Sequence, residues 1–234
     1  LSVMHIGVRD DKPLLRQILQ KGIESISEAD EIELKQKWLE EDAIDNAVFR
    51  FTKQEKRYLK KKQNIKICVA TNRKPFEYID RNNNYTGFAA DVLEIMRKKL
   101  GYEFKIVPTK SWHESLSFIE ENKCELLPFT MKTPIKEKKL SLTAPYLSSS
   151  LVIATKESAN YVENLNELKD ERIAVVRGYA SADIIKNEDI GVVEVNSIKE
   201  GLKLVKRGEV FGFVDSVHTI GAAIKENAYF DLKI

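Results

Sequence analysis

An α/β chain folded as two small lobes is what this sequence predicts. From about residue 65 onward, short apolar runs that suit strands alternate with segments whose apolar residues recur at helical spacing. The alternation completes two successive series, which suggests two small lobes. With 234 residues and 43% hydrophobic content, the chain can bury one large core or two modest ones.

Each element has its own local reason. MHIGV (4–8) alternates weakly and reads as a strand. Leu14, Leu15, Ile18, Leu19, Gly22, Ile23 and Ile26 then share one face of a helix, and that stripe needs a sheet to cover it. A second helix begins after Ser27, whose hydroxyl can cap it, and runs through Ile32 to Trp38 and Leu39. From 41 to 62 the pattern thins. Lys53, Lys56, Arg57, Lys60, Lys61 and Lys62 gather around Tyr58 and Leu59, which we read as a solvated connecting helix in preference to a membrane or acidic-partner site. IKICVA (65–70) is a strand, and Asp91 to Leu100 a helix with Val92, Met96 and Leu100 on one face. EFKIV (103–107) and CELLPF (124–129) are strands flanking a helix from Trp112 to Glu120, so mostly parallel pairing is expected. A strand at 150–155 leads into RIAVV, a helix from Ser181, GVVEV, a helix from Ile198 to Val205, VFGFVD and a helix to Ile224. The final YFDLKI reads as a strand entering a sheet, and a lobe that stopped there would lack its closing elements.

Several chemistries lack their requirements. Thirty-eight basic residues against thirty-six acidic ones give a formal charge of +2, so nucleic acid is not an expected partner. No apolar run approaches the ~20 residues that cross a bilayer. The start, LSVMHIGVRDD, lacks the regions of a secretory signal, so the chain is cytoplasmic or a piece of something longer. Neither phosphate-cradling glycine motif occurs, and His5, His113 and His218 are scattered without a second ligand at metal spacing; no cofactor or metal is implied. There is no GxSxG elbow, and the charged pair Glu120 and Glu121 reads as a solvated helix face. Cys68 and Cys124 fall inside strands, where packing as small apolar residues is the favoured reading and a disulfide the open alternative. Compartment cannot be read from them.

Three stretches in fixed order are more specific: KPFEYIDRNNNYTGFAADVLEIMRKKLG, TPIKEKKLSLTAPYL and IAVVRGYASADII. Together they resemble the family 3 extracellular solute-binding proteins, the two-lobed clamshells of amino-acid uptake. The resemblance spans 65–234 and implies a type II periplasmic-binding-protein (Venus flytrap) fold, with one lobe at about 65–152 and the other at about 153–226. Residues 1–40, with GVRDDKPLLRQILQKGIESIS followed by KQKWL, look like the terminal strand and helices that end such a module. The chain then reads as the tail of a preceding module, a charged linker at 41–64, and a second module lacking its own C-terminal elements. That order is similar to the tandem periplasmic halves of membrane sensor kinases and diguanylate cyclases. The first forty residues are expected to dock onto the second module, within one chain or in a neighbour, and a domain-swapped or symmetric dimer is a further expectation.

The resemblance also implies a site, with the ligand between the lobes at the C-terminal ends of parallel strands. Gly178, Tyr179 and Ala180 stand at a helix start that favours a carboxylate. Lys136, in the turn that begins at Thr133, takes the place of the family's carboxylate-gripping arginine and offers a point charge without the planar fork. Asp215 matches the aspartate that accepts from a ligand amino group, or else caps the helix that follows. Arg73 and Phe76 flank the first turn, where an aromatic wall is usual, and Trp112, Phe129 and Met131 supply apolar surface. Phe129 and Met131 replace small hydroxylated residues, and Ala180 stands where a hydroxyl is usual; both departures weaken the case for an α-amino acid. The implied function is binding of a small molecule, an amino acid or other small carboxylate, by the periplasmic sensor part of an inner-membrane signalling protein. Its partners would be a neighbouring solute-binding module and membrane-embedded signalling domains. The alternatives are a stand-alone transport receptor and, less favoured because Lys136 replaces the arginine, a cyclohexadienyl dehydratase-like enzyme.

Overall fold

β1 (Ser2–Arg9) is buried continuously from Met4 to Val8, which requires cover on both faces. α1 (Pro13–Glu24) opens on a proline, whose missing N–H is no loss in a first turn, and buries Leu15, Ile18, Leu19 and Gly22. α2 (Glu28–Leu39) is capped by Ser27: its hydroxyl accepts from Asp30 N (3.1 Å), while the Asp30 carboxylate accepts from Ser27 N (2.9 Å). α3 (Lys53–Lys61) opens with a Thr52/Glu55 capping box, and the buried Glu55 carboxylate pairs with Lys21 at 2.8 Å. The computed structural model describes residues 2–39, 51–62 and 64–234, so the expected linker helix is seen over Lys53–Lys61, and its earlier part lies outside the described residues.

The strands and helices that follow are β2 (Ile65–Ala70), β3 (Asn72–Arg73), β4 (Glu77–Ile79), β5 (Tyr85–Thr86), α4 (Phe88–Leu100), β6 (Phe104–Thr109), α5 (Trp112–Glu120), β7 (Leu126–Met131), α6 (Pro134–Glu137), β8 (Leu140–Leu142) and β9 (Leu147–Ser149). The chain divides into two units: Val3–Lys110 with Glu114–Leu147, and Ser148–Ile234 with Ser111–His113 and the first residues. In the first unit the sheet runs β6-β2-β7-β1-β8. β2 lies parallel to β6 and β7, but β1 lies antiparallel to β7 (Met4 opposite Met131) and to β8 (Gly7 opposite Leu142). The expectation of mostly parallel pairing is corrected to a mixed sheet, because apolar spacing reports burial and carries no strand direction.

Cys68 and Cys124 form a disulfide with their Cα atoms 5.6 Å apart, which corrects the favoured reading of simple packing. Both are fully enclosed, and the pairing of β2 with β7 (Ile67 opposite Leu126) brings them together across 56 residues of chain. α4 begins three residues before the expected Asp91. Gly87 precedes it at φ +119°, and a Cβ there would lie 2.6 Å from the Phe76 carbonyl oxygen, so the turn requires glycine. β3, β4 and β5 form a small antiparallel sheet that the sequence did not announce.

The second unit contains β10 (Leu151–Lys156), a 3-10 turn (Leu165–Leu168), β11 (Arg172–Val176), α7 (Ala180–Asn187), β12 (Gly191–Val195), α8 (Ile198–Arg207), β13 (Gly212–Ser216), α9 (Val217–Asn227) and β14 (Leu232–Lys233). Its sheet runs β12-β11-β13-β10-β14, with β12, β11 and β13 mutually parallel and β10 antiparallel to both of its neighbours, β13 and β14. Leu168, Ile173, Val175, Ala182, Ile185, Ile190 and Val214 make one core. α8 turns Ile198, Gly201, Leu202 and Val205 inward, with Gly201 seated directly on the Phe213 ring. The expected final strand is reduced to two residues, and Phe230 stands 83% exposed.

Candidate functional site

In the second unit, β11 and β13 are parallel neighbours with Ala174 level with Phe213. Their C-terminal ends therefore reach the same edge of the sheet, which sets the start of α7 beside Asp215. Gly178 adopts φ +76°, and Tyr179 precedes the first turn of α7 without a capping bond from its side chain. Among the described residues, the N-cap side chain gives no hydrogen bond to the first backbone N–H groups of α7. Ser181 sits in that turn, 2% exposed, with its hydroxyl lacking a hydrogen-bond partner among the described residues. The sequence marks Ser181 as a helix start but not as a site residue; the only available signal was its place two residues beyond Tyr179 in GYAS. Trp112 belongs with this unit, donates from Nε1 to the Gly178 carbonyl at 2.8 Å, and sets its edge against Tyr179 at 6.2 Å.

Asp215 is the penultimate residue of β13 and is 1% exposed. One carboxylate oxygen accepts from Ser216 N at 2.6 Å. The alternative role as a helix cap falls to its neighbour: the Ser216 hydroxyl accepts from Thr219 N at 3.2 Å and caps α9. His218, in the first turn of α9, lies 3.1 Å from the Ser149 hydroxyl, a pairing the sequence did not suggest.

The other expected site residues stand in the first unit. Arg73 on β3 places its guanidinium 4.8 Å from the centre of the Phe129 ring, and Phe76 stacks on Phe129 at 4.7 Å. Phe76 and Phe129 are 0% exposed, so the expected aromatic wall is a buried stack that carries Arg73, itself 4% exposed. Glu77 lies opposite Arg73 in the β3–β4 pairing and is wholly buried. Tyr85 donates to one of its oxygens at 3.3 Å, and the other has no partner among the described residues. Burial outweighs the pull of Arg73 and pushes the Glu77 carboxyl up to about 8. Met131 ends β7, Thr133 caps α6 by accepting from Lys136 N at 3.4 Å, and the Lys136 side chain is buried. Among the described residues no cluster of His, Cys, Asp and Glu could hold a metal ion, and His5 instead bonds the Thr143 carbonyl at 2.7 Å inside the sheet.

Residues 65–229 match the family described as bacterial extracellular solute-binding proteins, family 3. The chain is 22% identical over 232 residues to the virulence sensor protein BvgS of Bordetella pertussis, covering 97% of this chain and 19% of that protein. It is 25% identical over 161 residues to a probable amino-acid ABC transporter-binding protein of Haemophilus influenzae, covering 68% of this chain and 62% of that one. Among solved structures, a variant of the Bordetella pertussis BvgS VFT2 domain superposes with a TM-score of 0.71 at 19% identity, covering 79% of each chain. The chain spans about a fifth of the length of the sensor protein it matches.

Proposed function

The chain belongs to the bacterial extracellular solute-binding proteins, family 3, and from that premise we propose that it is the ligand-binding part of a membrane sensor. It takes a small carboxylate-bearing molecule at the sheet edge of the second unit and signals through a state that the bound molecule favours. The observation that carries the reading is the shared sheet edge of the second unit. The start of α7 supplies N–H groups for an anion, and Asp215 supplies an acceptor for an ammonium group. Trp112, Gly178 and Tyr179 complete the proposed site on this edge, and Arg73, Phe76, Phe129, Met131, Thr133 and Lys136 are proposed separately as ligand-facing residues or their support in the first unit. Binding, with no catalytic step, is the role assigned to it.

A sensor is favoured over a transport receptor because the similarity to BvgS takes in nearly the whole chain. The similarity to the transporter-binding protein takes in about two thirds of it. Residues 2–39 are assigned to the terminal elements of a solute-binding module, here completing the sheet through β1. The Cys68–Cys124 disulfide supports an oxidising compartment and hence the periplasmic side of an inner membrane. Neighbouring modules and membrane-embedded signalling domains are the proposed partners, with pairing of two chains as a further proposal.

Calorimetric screening of amino acids and small carboxylates, with Asp215→Asn alongside, tests the reading. A charge-assisted hydrogen bond contributes about 1.5–3 kcal/mol, so the variant loses roughly 10- to 150-fold for an amine-bearing ligand. Its affinity for the corresponding carboxylate without the amine stays the same. Equal binding of the amine-bearing ligand by both proteins, or no binder in either class, contradicts the proposal.

A further inference from the structure

α3 carries a surface that ligand binding does not use. Lys53, Lys56, Arg57, Lys60 and Lys61 are all exposed, and none has an ion-pair partner among the described residues. At 100° per residue they fall within an arc of about 140° on one side of the helix. The opposite side is committed inward: Glu55 is buried and paired with Lys21, and Tyr58 and Leu59 are half-buried. Five cations spaced three and four residues apart repel one another, at about 0.2–0.5 kcal/mol for each neighbouring pair. Among the described residues nothing inside the fold offsets that repulsion. An external anionic surface would relieve it.

The character of the face selects among anionic partners. No exposed apolar or aromatic side chain stands within the arc, so the face lacks the apolar and aromatic anchors on which the desolvated centre of a specific protein interface is built. It is also a single helical row, roughly 12 Å long, built of charge. A fluid layer of anionic headgroups needs only charge and no fitted shape. We propose that the outward face of α3 docks on an anionic phospholipid bilayer surface, holding this module against the membrane by electrostatics alone. The connecting helix would then be a peripheral contact in addition to a link. This rests on the exposure and spacing of the five cations and is independent of the ligand site.

The test uses the chain as it stands, with vesicles of phosphatidylglycerol and phosphatidylcholine against vesicles of phosphatidylcholine alone. Each cation near an anionic surface contributes about 1 kcal/mol, or about fivefold in partitioning. Lys53→Gln, Arg57→Gln and Lys60→Gln together therefore reduce binding about a hundredfold, with the thermal midpoint unchanged or raised because like-charge repulsion is relieved. Lys199→Gln with Lys203→Gln on α8 removes exposed cations elsewhere and leaves binding within about twofold of the parent, well short of the fivefold per cation expected on α3. Binding to the anionic vesicles disappears at about 0.5 M salt. The proposal is overturned if the anionic vesicles do not retain the chain at low salt or if the α3 and α8 variants weaken binding equally. It is likewise overturned if soluble polyglutamate binds α3 while the vesicles do not.

Discussion

Replacing Glu77 with glutamine removes one proton-binding group from the middle of the first unit with little change of shape. The carboxyl is wholly buried, faces Arg73 across the β3–β4 pairing, and is pushed up to about 8 from an ordinary value of 4.5. Because the folded chain holds this proton more tightly than the unfolded chain does, the stabilisation is fully present below 4.5 and is lost as pH rises through 8. Within that window each pH unit removes about 1.4 kcal/mol, and the whole traverse removes on the order of 5 kcal/mol. The amide introduced by Glu77→Gln does not titrate, so the difference between parent and variant isolates the group from the histidines and the paired surface carboxylates. Urea unfolding of both proteins at several pH values between 5 and 8, extrapolated linearly, gives that difference. The parent loses stability relative to Glu77→Gln at close to the stated slope. A difference that stays flat, or that grows in the parent's favour with pH, shows that Arg73 overrides burial and keeps Glu77 ionised.

Two further perturbations probe the scaffold. Replacing Cys68 and Cys124 together with serine opens a loop of 56 residues, and the chain-entropy relation puts the loss at about 4 kcal/mol; guanidinium unfolding of the double variant, compared with the parent in and out of reductant, measures it. Gly201→Ala sets a methyl within 2.2 Å of the Phe213 ring, so α8 must lift from the sheet and the second unit loses about 1–3 kcal/mol, seen as a lowered urea midpoint.

What the sequence made legible was whatever repeats over several turns or strands. The stripe of Leu15, Ile18 and Leu19 on α1 and the inward row of α8 are long enough to declare a period, and both helices form where that period runs. The parallel strands β11 and β12 match RIAVV and GVVEV residue for residue. Short elements had no such signal: β3 and β5 contain two residues each, too few to declare a period. Strand direction was equally silent, so the antiparallel place of β1 between β7 and β8 came only from the structure. The disulfide depended on which strands lie side by side, which residue spacing does not report. The motif order named Gly178, Tyr179 and Asp215 as candidates, whereas the buried Ser181 hydroxyl and the Ser149–His218 pair are visible only once the helix starts are in place.

Backbone amide resonances read the site without any variant. On titration with the tightest-binding carboxylate from the screen, the amide protons of Ala180 and Ser181 shift downfield as they take up the anion, and those around Asp215 shift in step when the ligand bears an amine. Saturable binding that leaves the Gly178–Ser181 amides unmoved would contradict the assignment of the ligand to this sheet edge.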